Sequence, residues 1–444
     1  MAHFDLLTKY LPAPLRDRLE GRPNLGRILT NIGWLFGDRI LRLGVGLVVT
    51  VLLTRYLGPE QFGSLSYAIA FTALLLPISY CGLDNVVVRD LVHEPTRTQE
   101  IVGTAFLLKA AFGAVTFVVA ILAAAVIQSD DLRMQVLIVI AGTSLLFQAF
   151  DAIDFWFQAQ VRSKFTVLAR NASFLLVAAL RLALVLLGAP LLAFAIAFAL
   201  EFALTAVGLV IVYRLDGQHL RAWRPSKGRA IELLQTSWPI MLAGLAFAVS
   251  LRIDQIMLAE MLGTAQLGIY AAAVRLSELW YMVPAVVIHS VAPAIAVAKK
   301  TDPELYQRRL QQLLKLMVGL AYLVAIPTTL LAGPIVYFLY GPEFAASAPT
   351  LAVHIWAALF INIGGVQNLW IIHEGLTRYA IVSTSFGACI NIALNWLLIP
   401  ELGPVGAAVA TLTSYGITFT VVCFAYPPTR RFGTMMLKAL ALRG

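Results

Sequence analysis

Long apolar runs separated by short polar stretches fill the chain, and twelve of them reach the length that crosses a bilayer as a helix, about 20 residues each. The first six fall near 31–54, 64–88, 101–127, 134–158, 166–188 and 191–213. The second six fall near 232–259, 267–298, 312–340, 349–372, 378–399 and 404–426. The runs are continuous and rich in Ala, Leu, Val and Ile, without the alternation of a membrane β-barrel strand. The fold class predicted is therefore an all-α polytopic membrane protein of about twelve transmembrane helices. One phrase recurs at the end of a run. Leu57-Gly58-Pro59-Glu60-Gln61-Phe62-Gly63 follows the first, and Leu262-Gly263-Thr264-Ala265-Gln266-Leu267-Gly268 follows the seventh. Such a repeat implies two similar six-helix bundles, an arrangement of transporters more than of enzymes. Six spans per half is even, so the halves are expected to be parallel, related by a pseudo-twofold along the membrane normal.

Composition agrees. The 444 residues are 60% hydrophobic and 13% charged, with a mean hydropathy of +0.82, where a soluble domain carries about 25% charge. No cleavable signal is visible in Met1 to Asn31, and Phe4 to Leu19 reads either as a broken surface helix or as a basic tail. Cys81, Cys389 and Cys423 lie in apolar runs and are read as packing residues. The histidines are dispersed, so no metal site is expected.

Basic residues set the orientation. Lys9, Arg16, Arg18, Arg22 and Arg27 precede span one; the even-numbered loops and the tail carry most of the rest, including Arg214, Arg221, Arg224, Lys227 and Arg229. The odd-numbered loops have only Arg55 and Arg133. Positive residues stay cytoplasmic, which places both termini on the cytoplasmic side and explains the net charge of +9 without nucleic acid. The expected organisation is a cytoplasmic segment 1–30, an N-terminal bundle 31–214, a basic linker 215–230, a C-terminal bundle 231–426 and a cytoplasmic tail 427–444. Asp302-Pro303-Glu304 predicts a capped helix start leading into span nine. Pro77, Pro239, Pro284, Pro293 and Pro327 fall in spans, and span eight, with two of them, is expected to bend most. Gly33 and Gly37 have the small-xxx-small spacing of close helix approach.

A parallel twelve-span layout also suits the major facilitator superfamily, but Gly82-Leu83-Asp84-Asn85-Val86-Val87-Val88-Arg89-Asp90 does not match the signature that superfamily carries between spans two and three. The repeated phrase resembles the loop after span one in polysaccharide-transport flippases of the MOP (multidrug/oligosaccharidyl-lipid/polysaccharide) superfamily. So do Arg252-Ile253-Asp254-Gln255-Ile256-Met257-Leu258, Tyr340-Gly341-Pro342-Glu343-Phe344, Asn395-Trp396-Leu397-Leu398-Ile399-Pro400 and Gly403-Pro404-Val405-Gly406. These run through the chain in the family's order. The resemblance implies a Wzx-type flippase, which moves undecaprenyl-diphosphate-linked oligosaccharides from the cytoplasmic to the outer leaflet.

Ionisable residues at membrane depth cost about 2.5–3.5 kcal/mol each on insertion scales, so they need a partner or a wet cavity. Asp38 and Arg42 are four apart and suited to pair, leaving Arg39 to point elsewhere; all three can equally sit at headgroup level. Arg252 and Asp254 lie deep in span seven and project differently. Arg275 and Glu278 are spaced as an intrahelical pair. Arg181 and Glu201 stand alone in apolar runs, Asp151 and Asp154 form an acidic pair beside Trp156, and Lys109 lies in span three. A lipid-linked diphosphate suits this mixture. Arginine forks onto phosphate oxygens, which makes Arg39, Arg42, Arg252 and Arg275 the preferred headgroup ligands. Trp280, Tyr281, Trp356, Asn362, Gln367, Asn368 and Trp370 offer surfaces for sugar, with Trp280 and Asn368 preferred. The other reading of Arg252 and Asp254 is that they fix the fold by binding across to other helices. Asp84, Asp151, Asp154, Glu201 and Asp254 are candidates for coupling to protons, sodium ions or the membrane potential. No cofactor is expected. The partners expected are the lipid-linked oligosaccharide, membrane lipids, and a polysaccharide polymerase with its export machinery; the unit is a monomer. The rival readings are a cation-coupled drug exporter of the same superfamily, and a membrane polymerase or ligase; a peptidoglycan-precursor flippase, also of that superfamily, usually has fourteen spans, two more than this chain offers. The first favours an acidic cavity, and the second a large outer loop, which is lacking here.

Overall fold

The computed structural model describes residues 23–442, so the expectations for Phe4 to Leu19 and for Lys9, Arg16, Arg18 and Arg22 fall outside the described residues. Among the described residues, ten helical stretches are long and apolar enough to cross a membrane. Two of them, Gly37–His93 and Arg378–Ala425, each hold two spans, broken at Gly58 (φ 65°, ψ 176°) and at Gly403 (φ 58°, ψ −137°). The twelve runs of the sequence are thus accounted for.

The repeated phrase is a turn with one backbone solution. Gly263 (φ 89°, ψ 168°) and Gly341 (φ 90°, ψ 180°) share the conformation of Gly58 and, nearly, of Gly403. Positive φ with extended ψ is open to glycine and strained for any residue with a Cβ. Pro59, Pro342 and Pro404 follow three of these glycines, where a helix start loses nothing by lacking an N–H. The second glycine of each phrase does different work. A Cβ built on Gly63 would lie 1.8 Å from the Thr264 carbonyl oxygen, and one on Gly268 would lie 1.9 Å from that of Pro59. The two copies therefore touch reciprocally, backbone to backbone. Beside them Arg55 of span one donates to the carbonyls of Phe338 and Leu339 at the end of span nine. Glu260 of span seven accepts from Tyr67 and Gln128. Among the described residues nothing lies within 4 Å of a Cβ at Gly33 or Gly37, so their spacing shows no such approach there.

Several spans are interrupted. Span eight runs as Thr264–Glu278, a tight turn Leu279–Tyr281, then Met282–Thr301. The break falls just before Pro284, whose ring opposes the carbonyl four residues earlier. Span two ends at Tyr80, not near residue 88: Cys81 (φ 54°) and Gly82 (φ 63°) turn the chain into a separate helix, Asp84–His93. Span four is broken between Gly142 and Asp151 without any proline. Pro239 lies inside an unbroken helix. The Asp302 start is as expected, its carboxylate accepting from the amides of Glu304 and Leu305. Residues 427–444, expected as a tail, contain a packed helix, Arg430–Leu440. Its Phe432 lies 5.3 Å from Trp370, and Gln311 donates to its Met435 carbonyl. Cys81 and Cys423 are buried as expected, but Cys389 is exposed.

By packing, the chain divides into two compact units. The first holds residues Met1–Thr50, Ile78–Ala123 and Val139–Met241; the second holds Val51–Pro77, Ala124–Ile138 and Leu242–Gly444. The first is built on a cluster including Leu83, Ile101, Phe157 and Tyr213, the second on one including Leu314, Met317, Ile363 and Phe432. In the first unit the basic linker is docked rather than loose. Arg229 lies 3.0 Å from each of Asp90, Glu94 and Glu232, and the Arg224 amide donates to the Gln99 carbonyl. Burial works to raise the Glu94 pKa, but hydrogen bonds from Arg229 and Arg97 outweigh it and hold the carboxyl below its ordinary range.

Candidate functional site

In the second unit, spans two, seven and eight enclose a cavity of ≈ 100 Å³. Its polar lining is Ser66, Arg252, Gln255, Arg275 and Glu278; the rest is apolar. Helical geometry puts Arg252 and Arg275 on faces that meet there, while Asp254, two residues on, turns away into the bundle. The Arg252 guanidinium is held by both oxygens of Glu278, at 2.9 Å and 3.3 Å. Glu278, expected opposite Arg275 on its own helix, thus gives its carboxylate to the neighbouring span. Pairing across spans is the better solution where hydrocarbon surrounds the bundle, because a forked pair neutralises both charges at once.

Asp254 is 2% exposed and sits in a hydrogen-bond chain of neutral groups. Tyr270 and Thr411 donate to its Oδ2, and the Gln255 amide to its Oδ1 at 2.7 Å. Asn391 donates to Thr411 and Ser414, and Asn395 to Asn391. The Asn395 Oδ1 is buried without a hydrogen-bond partner among the described residues. Tyr270, Thr411, Asn391 and Asn395 were not singled out as site residues from the sequence. Two asparagines four apart in an apolar run, one face of one helix, were the available signal.

The first unit gathers the other acidic candidates. Lys109 is fully buried, its Nζ 3.8 Å from Asp84 and 3.6 Å from Asp151, over the rings of Tyr80 and Phe155. Arg170 joins Asp151 at 3.0 Å to Asp154 at 2.9 Å. Asp38 pairs with Arg42 at 2.9 Å. Glu201 accepts from Arg181 at 3.0 Å, so neither of those charges stands alone. Arg39 is exposed on span one. The four preferred arginines divide: Arg39 and Arg42 belong to the first unit, Arg252 and Arg275 to the second.

Of the sugar-facing candidates, Trp280 is 44% exposed and Asn368 is exposed, and neither lines the cavity. Three others are occupied in packing. Asn362 donates to the Met317 carbonyl, Gln367 to Cys423 and Tyr379, and the Trp370 ring packs at a tilt against Phe432. Trp356 donates to Thr329.

Solved structures share this helical architecture. Lipid II flippase MurJ in an inward closed conformation superposes with a TM-score of 0.73 at 15% identity, over 93% of this chain and 91% of that one. An inward-facing multidrug resistance MATE family transporter of the MOP superfamily gives 0.67 at 13%, over 88% and 95%. A MOP superfamily transporter from Pyrococcus furiosus Vc1 (DSM3638), described as having a binding pocket of reverse polarity, gives 0.63 at 13%, over 94% and 96%. These likenesses establish the fold: two helix bundles in a multi-pass membrane protein. Residues 28–299, more than half the chain, match the family model for polysaccharide biosynthesis proteins, and the protein belongs to that family. Residues 239–397 also match the MatE model. The probable flippase AglR of Haloferax volcanii is 26% identical over 205 residues, 43% of this chain and 42% of that protein. The chain thus aligns with less than half the length of that relative.

Proposed function

We propose that the protein is a flippase that carries an undecaprenyl-diphosphate-linked oligosaccharide from the cytoplasmic to the outer leaflet by alternating access. The observation that carries this reading is the pair of arginines, Arg252 and Arg275, brought to one cavity inside a membrane bundle. A cavity of this sign suits a diphosphate, whose oxygens accept the guanidinium fork. It does not suit the cationic cargo of a drug exporter. The polyprenyl tail needs no site of its own, because it stays in lipid. The flippase reading implies a bacterial inner membrane; the basic loops put both termini in the cytoplasm, and the glycine turns then face outward. In this reading the six-plus-six division and the monomeric unit serve a surface-polysaccharide pathway.

The test is a proteoliposome assay with a fluorescent polyprenyl-diphosphate oligosaccharide, read as leaflet transfer. Arg252→Ala removes the fork; a fall in transfer of about 100-fold or more is expected, the scale of losing a buried charge-assisted pair. Transfer at the wild-type rate, with the variant properly inserted, refutes the assignment.

Coupling is assigned to Asp254. The acidic candidates of the first unit already face Lys109, Arg170, Arg42 or Arg181, so a further cation there would meet a resident positive charge. Asp254 instead takes its hydrogen bonds from neutral hydroxyls and an amide, and the cation two residues away, Arg252, is held by Glu278, a setting that accepts a proton or a sodium ion. Asp254→Asn should leave downhill exchange of substrate intact and erase acceleration by a pH or sodium gradient. Comparing the two gradients on wild type identifies the ion, and a variant that still responds to both places coupling elsewhere.

A further inference from the structure

We infer that Glu278 is an internal competitor for the substrate phosphate: its carboxylate occupies the Arg252 fork when the site is unloaded and must be displaced for a diphosphate to bind. The inference rests on the substrate reading above. Its own basis is geometric. Glu278 presents two oxygens to two guanidinium nitrogens, at 2.9 Å and 3.3 Å, which is the contact a phosphate would make. Both side chains line the same cavity, and both are partly exposed, Arg252 at 28% and Glu278 at 21%. The pair is therefore reachable rather than sealed in the bundle. At ≈ 100 Å³ the cavity holds a group of phosphate size, and a phosphate seated against Arg252 would stand where the carboxylate now stands.

The chemistry gives the carboxylate a purpose. An unpaired guanidinium at membrane depth is costly, so the empty site needs a counter-ion to persist. A fixed carboxylate supplies it, and it also opposes the arriving phosphate. Glu278 thus weakens binding while keeping the empty transporter intact, and it can reclaim Arg252 to help expel the headgroup after transfer. A residue that only braced spans seven and eight together would do neither.

The two roles differ in the sign of one measurement. Farnesyl diphosphate serves as the probe, since it carries the diphosphate and a prenyl chain without sugar, with binding measured on the full-length protein in nanodiscs. Glu278→Gln keeps the shape and removes the charge. It should bind the probe about tenfold more tightly, the scale of relieving one like-charge contact, and should flip the lipid-linked substrate more slowly, with KM and kcat both lowered. Glu278→Asp draws the carboxylate back by one methylene and should tighten binding by a smaller factor, so it carries the test if the glutamine variant does not accumulate. Unchanged or weaker binding in the variant tested overturns the role of Glu278. If that occurs while Arg252→Ala still weakens the probe, the substrate reading stands without it. If wild type fails to bind the probe, or Arg252→Ala leaves binding unaltered, the substrate reading falls and takes the inference with it.

Discussion

Gly268→Ala should force apart the two copies of the repeated phrase. The added methyl would lie 1.9 Å from the Pro59 carbonyl oxygen and 2.7 Å from its carbon, both backbone atoms that cannot rotate away. Overpacking of this kind costs about 1–3 kcal/mol. If the cost falls only on the arrangement in which the phrases touch, that arrangement is depopulated about 5- to 150-fold. Ser66→Cys, at a site of 7% exposure near this contact, reports the change when Cys389, the exposed native thiol, is replaced by serine and Cys81 and Cys423 stay buried. Labelling by a membrane-impermeant maleimide should be faster in the Gly268→Ala background. Gly319→Ala is the control, because no atom lies within 4 Å of a Cβ there. Equal labelling in both backgrounds would show that the glycine contact does not hold the phrases closed. Gly63→Ala should act in the same way, since its methyl would meet Thr264 on the other copy.

Lys109→Met should be the most damaging single change in the first unit. The ammonium is fully buried and lies within 4 Å of both Asp84 and Asp151. Methionine of similar length removes the charge and leaves two carboxylates facing each other. Taking one partner from a buried pair costs about 3–5 kcal/mol. The lower end applies here, because Asp151 keeps Arg170 and the Asp84 side chain is 55% exposed. The expected result is a lowered unfolding temperature in detergent and poor recovery by size-exclusion chromatography. Adding Asp84→Asn should restore part of the loss, since it removes one of the stranded charges. A single variant as stable as wild type would mean that Lys109 does not compensate these carboxylates.

What could be read from the residues alone follows a physical division. Span number and the family resemblance were legible because lipid imposes a length and a composition that local sequence must meet. The Asp302 cap and the Pro284 break were legible because each depends on neighbours within one turn of helix. The break in span four was not: it carries no proline. The binding of Arg252 across to another helix was one of two readings the sequence left open, but its partner, Glu278, was not named. Intrahelical spacing suggested Arg275, but side-chain pairs are chosen in three dimensions, and the facing span offered the better fork. Arg181 and Glu201 show the same limit: solitary in sequence, they meet across two helices. Asn362, Gln367 and Trp370 looked like a sugar surface because they are polar or aromatic in an apolar run. Each instead satisfies a neighbouring backbone or side-chain group inside the bundle.

The residues three before the glycine in each copy of the phrase, Arg55 and Glu260, have a consequence for how the chain was assembled. Arg55, from the first half, is spent on the end of span nine in the second. Glu260, from the second half, is spent on Tyr67 and Gln128 in the first. Each half thus carries one part of two different latches, a cation for carbonyls and a carboxylate for hydroxyl and amide. Two copies of either half alone would present the same part twice and close neither latch. The halves of this duplication have become obligate complements and are no longer interchangeable copies.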